Sequence, residues 1–357
     1  MDDLLVVGAG IIGLSCAFEA ASRGMRVRVL DRGSPGAGAS GVAAGMLAPL
    51  AEAHDMPDEW VRIGVQSAEL YGGFIERVEV MGGPAGFLSR GTLLVAADRD
   101  QARDLDQLER AHERLGMAAE RISIREVIRR EPALSPRVAG ALWCADDHAV
   151  NPAELCAALV RAIRALGGTI ETGVHVEGVS SEGPGLGVRV VGAKVDTPRL
   201  ARRVLVAAGL HSAEVLPIEL RSELDMGLRP VKGQVLILKG DPLISRVVRT
   251  PRVYLVPRGN RLVVGASEEE VGHHSEPLAG VTMDLLYEAW RTVPGVYELE
   301  LEQIVVGHRP STRDGCPVVR PVGPEGLFVA TGHHRHGILL APWTAHVFAQ
   351  WLDSQSG

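Results

Sequence analysis

Lysine is nearly missing from this chain. It stands only at positions 194, 232 and 239, and every other basic residue is arginine. A given arginine therefore says little about function unless a motif surrounds it. Basic runs are missing too, and no stripe interleaves arginine with aromatic rings; with a net charge of −7 this leaves no footprint for nucleic acid. No apolar stretch approaches the ~20 residues that span a bilayer, so no membrane partner is expected. Met1-Asp2-Asp3 lacks the basic start of a secretory signal and runs straight into an apolar segment, which makes the cytoplasm the expected location. The four cysteines, Cys16, Cys144, Cys156 and Cys316, show no CxxC spacing and read as reduced thiols, not as a disulfide framework or zinc site. Internal repeats and low-complexity linkers are absent as well. What remains is an ordinary globular composition, 46% hydrophobic and 23% charged over 357 residues, long enough for two domains.

The N-terminus carries the strongest signal. Leu4 to Val7 read as a short buried strand, Gly8-Ala9-Gly10-Ile11-Ile12-Gly13 as a GxGxxG turn, Ile11 to Arg23 as a helix, and Val27 to Leu30 as a second buried strand ending in Asp31. Gly8 permits the tight turn, Gly10 lets a pyrophosphate approach the backbone, and Gly13 lets helix and strand pack closely. The helix N-terminus offers N–H groups and partial positive charge to phosphates. Asp31 can accept from a ribose diol.

The unit does not continue as a plain α/β repeat. A small-residue segment follows at 33–50. Helices are expected at 58–80, 99–117 and 123–130, with paired strands at 85–97. Asn151-Pro152 reads as a capped helix start, with the helix running to about Leu166. Strands are expected at 169–179, 203–208 and through 228–266, then a helix at 280–293 and the strand ELEQIVVGHRP. A last buried strand, 326–330, is expected to open after Gly332 into a helix to the end of the chain. The fold class expected is α/β (α+β, two-domain): a Rossmann-like dinucleotide-binding domain with an inserted, mainly antiparallel β-sheet substrate domain. The expected boundaries are 1–80, 150–222 and 305–357 for the first domain and 81–149 and 223–304 for the second.

GAGASGVAAGMLAPL (36–50), RPVKGQV (229–235), VYLVPRGNRLVVGAS (253–267) and the run from HRPSTRDGCPV to ATGHHRHGILLAPWTA (308–345) occur in this order after the N-terminal turn. Together they resemble the D-amino acid oxidase family of FAD enzymes, with the glycine oxidases of thiamine biosynthesis as the closest pattern. The resemblance implies noncovalent FAD, since Cys316 lies beyond the position from which sarcosine oxidases tether their flavin. It implies a cofactor site made of Gly8, Gly10, Ile11, Ile12, Gly13, Asp31, Arg32, Ser40, Ala43, Ala44, Gly45, Met46, Val174, Ala208, Gly209, His334, Arg335, His336, Gly337, Ile338 and Leu339. Backbone N–H groups of Gly337 to Leu340 at a helix start would stabilise the reduced flavin.

For the substrate, the resemblance places Arg309 and Tyr254 on an amino-acid carboxylate, through paired hydrogen bonds from the guanidinium, and Arg335 as a second active-site arginine. Met46, Ala48, Arg252 and Glu268 line the pocket; strand alternation is taken to put Arg252 and Tyr254 on one side. Two positions depart from the family pattern: Asp31 replaces a frequent Glu, and Glu268 stands where some glycine oxidases have an apolar residue. There it would attract an ammonium and repel a second carboxylate. No metal is expected, because His333, His334 and His336 have no carboxylate or cysteine at ligand spacing. His273-His274 reads as a solvated loop.

The implied reaction is oxidative deamination of glycine, or of sarcosine or D-alanine. Hydride transfer from Cα to flavin N5 and reoxidation by dioxygen would give glyoxylate, ammonia and hydrogen peroxide. A homotetramer and a transient thiazole-synthase partner are implied by the family alone. The competing readings are a sarcosine oxidase or D-amino acid dehydrogenase of the same fold, a non-catalytic flavin scaffold or redox sensor, and a nicotinamide enzyme.

Overall fold

The computed structural model describes residues 1–53, 57–117, 119–182, 185–191, 199–224 and 226–355. In the first of its two large sheets, five parallel strands stand in the order Thr169–Thr172, Val27–Asp31, Asp2–Val7, Arg199–Val206, Leu327–Thr331. Parallel strands are covered on both faces, which is why LLVV is apolar without alternation. Leu4 and Val6 face one core and Leu5 and Val7 the other. The helices Ile11–Ser22, Asp58–Gly82, Pro152–Ala165 and Ala341–Ser354 contribute to the first of these cores. The cap expected at Asn151 forms: its side chain accepts from the Ala153 N–H at 3.2 Å, and Pro152 takes the first helical position, where no N–H is needed.

The second sheet runs in the order Glu300–Ser311, Arg229–Lys239, Arg261–Gly265, Tyr254–Arg258, Val247–Arg249, Thr92–Ala96, Gly140–Cys144, Glu120–Arg121. All neighbours are antiparallel except Val247–Arg249 beside Thr92–Ala96. One face packs Leu236, Leu238 and Val264 with Leu285 and Ala289 of the helix Ala279–Thr292. The other turns Val235, Val256 and Val263 toward Ala44. Glu300–Ser311 pairs with Arg229–Lys239 from end to end, so the boundary expected between 304 and 305 falls within one strand. The strands expected over 169–179 are Thr169–Thr172 and His175–Glu182. The C-terminal helix differs from the sequence expectation: it begins at Ala341, after a 3-10 turn at His334–His336.

Candidate functional site

The GxGxxG turn closes on itself for steric reasons. Gly8 has φ 107, and a Cβ there would overlap the Ala207 carbonyl. A Cβ on Gly13 would overlap the Gly8 carbonyl. Gly10 is different: the nearest group to a Cβ would be Ser40 Oγ at 3.4 Å, so its missing side chain leaves room rather than relieving a clash. Ser40 Oγ also accepts from the Ile11 N–H at 3.0 Å. Asp31 braces the turn, its two oxygens accepting from Ala9 N–H at 2.6 Å and Gly33 N–H at 2.7 Å. Each oxygen keeps a further lone pair for a ribose hydroxyl.

From this turn a cavity of about 1030 Å³ extends along the C-terminal ends of the parallel strands to the second sheet. That is where open α/β sheets place ligands, and the volume lies at the upper end for small-molecule sites. The candidate site residues named from the sequence line it except Gly13, which lies beneath the turn, and Leu340.

Two devices hold the walls. Arg258, which the sequence reading missed, is mostly buried and donates through Nη2 to the carbonyls of Ala43 at 2.9 Å and Ala44 at 2.7 Å. It ties the small-residue segment to the second sheet. Burial pulls its guanidinium below the usual arginine range. The signal for it was alternation from Tyr254 through Val256. On the far wall, Tyr71 Oη donates to the Ile338 carbonyl at 2.5 Å and Ser67 Oγ to the Leu339 carbonyl at 2.6 Å. A trans peptide points its N–H opposite to its C=O, so the Leu339 N–H is aimed away from the Asp58–Gly82 helix. The donors expected at 337–339 thus sit in a turn that precedes the helix rather than in its first turn, and the one expected at Leu340 is taken by the His336 carbonyl at 2.8 Å.

The histidines at 333–336 serve different ends. His333 is buried against Thr344 Oγ1 at 2.9 Å, and burial pushes its imidazole down to about 3, so it is neutral. His334 has φ 48, the one positive φ outside glycine among the described residues, and its Nδ1 is buried with no hydrogen-bond partner. Strained backbone and an orphaned polar atom together at a cavity wall are marks of a ligand site.

At the other end, Arg309 and Tyr254 lie in beds made by glycine. A Cβ on Gly233 would stand 2.7 Å from Arg309 Nη2, and one on Gly265 would stand 2.5 Å from Tyr254 Oη. The guanidinium of Arg309 donates to the carbonyls of Lys232 at 3.3 Å and Ser267 at 3.0 Å. Its orientation is thus set by main chain before any ligand arrives. Glu268 faces the same space. One of its oxygens lies 3.7 Å from Arg335 Nη1 and 4.0 Å from Arg309 Nη1, and the other 3.7 Å from His334 Nε2. The His334 imidazole foremost, then Arg335 and Arg309, hold this carboxyl down at about 2 against the opposing effect of burial.

One expectation needs correction. Arg252 does not share a strand with Tyr254. Thr250 Oγ1 accepts from the N–H groups of Arg252 at 3.1 Å and Val253 at 3.0 Å, a side-chain turn in the reversal that joins the antiparallel strands Val247–Arg249 and Tyr254–Arg258. The second strand begins only at Tyr254, so Arg252 reaches the cavity from the turn. His273 and His274 lie in an exposed loop, as expected, and His273 also lines the cavity and tilts against His308 at 6.0 Å.

These features fit FAD: a glycine turn open at Gly10, an acid at Asp31, a wall of small residues at 43–45, and peptide N–H groups with an orphaned imidazole nitrogen opposite. The family model described as FAD dependent oxidoreductase matches residues 3–351. The chain is 31% identical over 358 residues to the glycine oxidase of Geobacillus kaustophilus, covering 98% of this chain and 93% of that one. It is also 31% identical over 364 residues to the bifunctional protein ThiO/ThiG of Trichormus variabilis, covering 99% of this chain and 53% of the relative. The crystal structure of glycine oxidase from Geobacillus kaustophilus superimposes with a TM-score of 0.89 at 30% identity, over 99% of this chain and 95% of that one. The chain belongs to the FAD-dependent oxidoreductase family.

Proposed function

We propose that this protein is a glycine oxidase. It converts glycine, dioxygen and water to glyoxylate, ammonia and hydrogen peroxide, with sarcosine and D-alanine as further substrates. The observation that carries the reading is Arg309 bedded on Gly233, beside Tyr254 bedded on Gly265, in the cavity that begins at the GxGxxG turn. Bound FAD supplies the two-electron oxidation of the substrate amine.

The protein's own part is placement. Arg309 and Tyr254 grip the carboxylate, which fixes the Cα–H direction, and such placement accounts for much of the rate in reactions of this kind. Met46 and Ala48, on the segment that Arg258 ties down, close the pocket around a small side chain. Gly8, Gly10, Ile11, Ile12, Asp31, Arg32, Ser40, Val174, Ala208 and Gly209 hold the dinucleotide. Residues 43–46 and 334–339 hold the ring. The protein works in the cytoplasm, as a homotetramer, in the thiazole branch of thiamine biosynthesis. Support for a thiazole-synthase partner is the ThiO/ThiG relative, of which this chain spans about half.

The test is the visible spectrum of the holoenzyme without air, before and after glycine. Flavin bands that bleach, then return on admitting air with release of peroxide, are expected. Bands that persist with glycine, sarcosine and D-alanine alike would overturn the reading.

A further inference from the structure

Glu268 places a carboxylate of the protein where two arginines converge. A single oxygen stands between Arg335 at 3.7 Å and Arg309 at 4.0 Å, and its other oxygen faces His334 at 3.7 Å. These separations are ion-pair distances, about 1 Å longer than a direct charge-assisted hydrogen bond. The side chain is half exposed, so it is not locked in place. A ligand carboxylate that comes within hydrogen-bonding distance of Arg309 therefore displaces Glu268 from that guanidinium and leaves it on Arg335 and His334. Arg309 is suited to being the one released, because its orientation is kept by the Lys232 and Ser267 carbonyls, whether or not Glu268 is beside it. A second ligand carboxylate would then meet the charge of Glu268 with its cations already engaged, and like charges set face to face discriminate strongly.

We propose that Glu268 sets how many carboxylates a substrate can carry. By engaging Arg335 and His334 it leaves Arg309 for a single substrate carboxylate, so that the enzyme takes amino-monocarboxylates and turns away amines bearing two. This rests on the reading of Arg309 as the carboxylate anchor. Glu268 is then a specificity residue that touches no reacting atom, and the sequence signal for it was its departure from the apolar residue in the family pattern.

The test uses holoenzyme of the wild type, Glu268→Gln and Glu268→Met, each checked for FAD content. Acetate and malonate are titrated against the visible flavin bands. Separately, kcat/KM is measured for glycine and for iminodiacetate, an amine with two carboxylates. The wild type is expected to bind acetate more tightly than malonate. In both variants the preference for malonate over acetate should rise by at least about tenfold, and the ratio of kcat/KM for iminodiacetate over glycine should rise with it. Ratios unchanged within twofold in variants that still bind acetate overturn the proposal. So does a loss of glycine turnover with no gain in malonate binding, which would place Glu268 on the substrate ammonium. If neither anion perturbs the wild-type flavin and glycine fails to reduce it, the anchor reading itself is wrong, and the proposal falls with it.

Discussion

Gly233→Ala isolates the orientation of Arg309 from its charge. The new Cβ would stand 2.7 Å from Nη2, 2.9 Å from Cζ and 3.0 Å from Nη1. Ordinary contact begins at 3.4 Å, so the guanidinium must lift by about 0.7 Å. Lifting it strains the bonds to the Lys232 and Ser267 carbonyls, the first already long at 3.3 Å. A misplacement near 1 Å in a positioned group costs about a hundredfold; here a fall in kcat/KM for glycine of roughly tenfold to a hundredfold is expected, mostly through KM. Stability should move the other way or not at all, because alanine suits a strand interior better than glycine by about 0.5–1 kcal/mol. Steady-state oxygen uptake gives the kinetics, and a thermal melt of the holoenzyme gives the stability. An unchanged KM in a folded, FAD-replete variant would refute the argument that Gly233 exists to seat Arg309.

Arg309→Ala should raise KM for glycine by roughly a hundredfold or more while FAD stays bound, since about 1.5–3 kcal/mol attaches to each charge-assisted hydrogen bond; Tyr254→Phe should cost much less, and equal losses would mean the roles are reversed. Tyr71→Phe leaves the Ile338 carbonyl with only the Ala341 N–H at 3.3 Å and should cost about 0.5–1.5 kcal/mol, the worth of one net hydrogen bond; the unfolding midpoint and the FAD dissociation constant should both shift, and no shift in either would remove Tyr71 as the brace of that turn. Acid should destabilise the fold well above the carboxylate range. His333 stays neutral in the fold down to about 3 but takes a proton when unfolded below about 6.5. The unfolded state then binds more protons, so stability falls as pH drops through that window, by up to about 1.4 kcal/mol per unit. His148, also lowered by burial, adds in the same direction. The contribution from Asp3 and Glu268, each held at about 2, is lost only below about 4. Urea unfolding at pH 7.5 and 5.5 should therefore show a larger loss for wild type than for His333→Asn, and equal losses would contradict the assignment.

The dinucleotide turn was legible because its glycines stand close together in sequence: Gly8 takes a positive φ, Gly13 must clear the Gly8 carbonyl, and Gly10 leaves room for a ligand, so residue identity and spacing suffice. The same holds for the helix cap at Asn151-Pro152. The substrate end was harder to read, because its geometry comes from pairing between distant strands. That Gly233 opposes Gly307 and Gly265 opposes Tyr254 follows from register, which no local pattern encodes. Alternation misplaced Arg252 because a threonine side chain, not a glycine or proline, makes the turn there. The start of the last helix was misjudged for a related reason. Side chains from the Asp58–Gly82 helix hold the Ile338 and Leu339 carbonyls, so tertiary hydrogen bonds replace the local cap that would have marked it.

The order of the parallel strands has a consequence for biosynthesis. The strand leading into Gly8 has Arg199–Val206 as its neighbour, which in turn pairs with Leu327–Thr331, and the cavity wall opposite the glycine turn comes from residues near 339. Contacts separated by so much chain form slowly, since the intervening loops must close first. On the ribosome, the turn waits while more than three hundred residues are added before its opposite wall exists. An intermediate that lacks the last strand has a half-built groove and an unpaired edge at Val204–Val206, the kind of surface that chaperones recognise. Cofactor capture therefore waits for the residues near 339, and the supply of FAD acts on chains in which that wall is already in place.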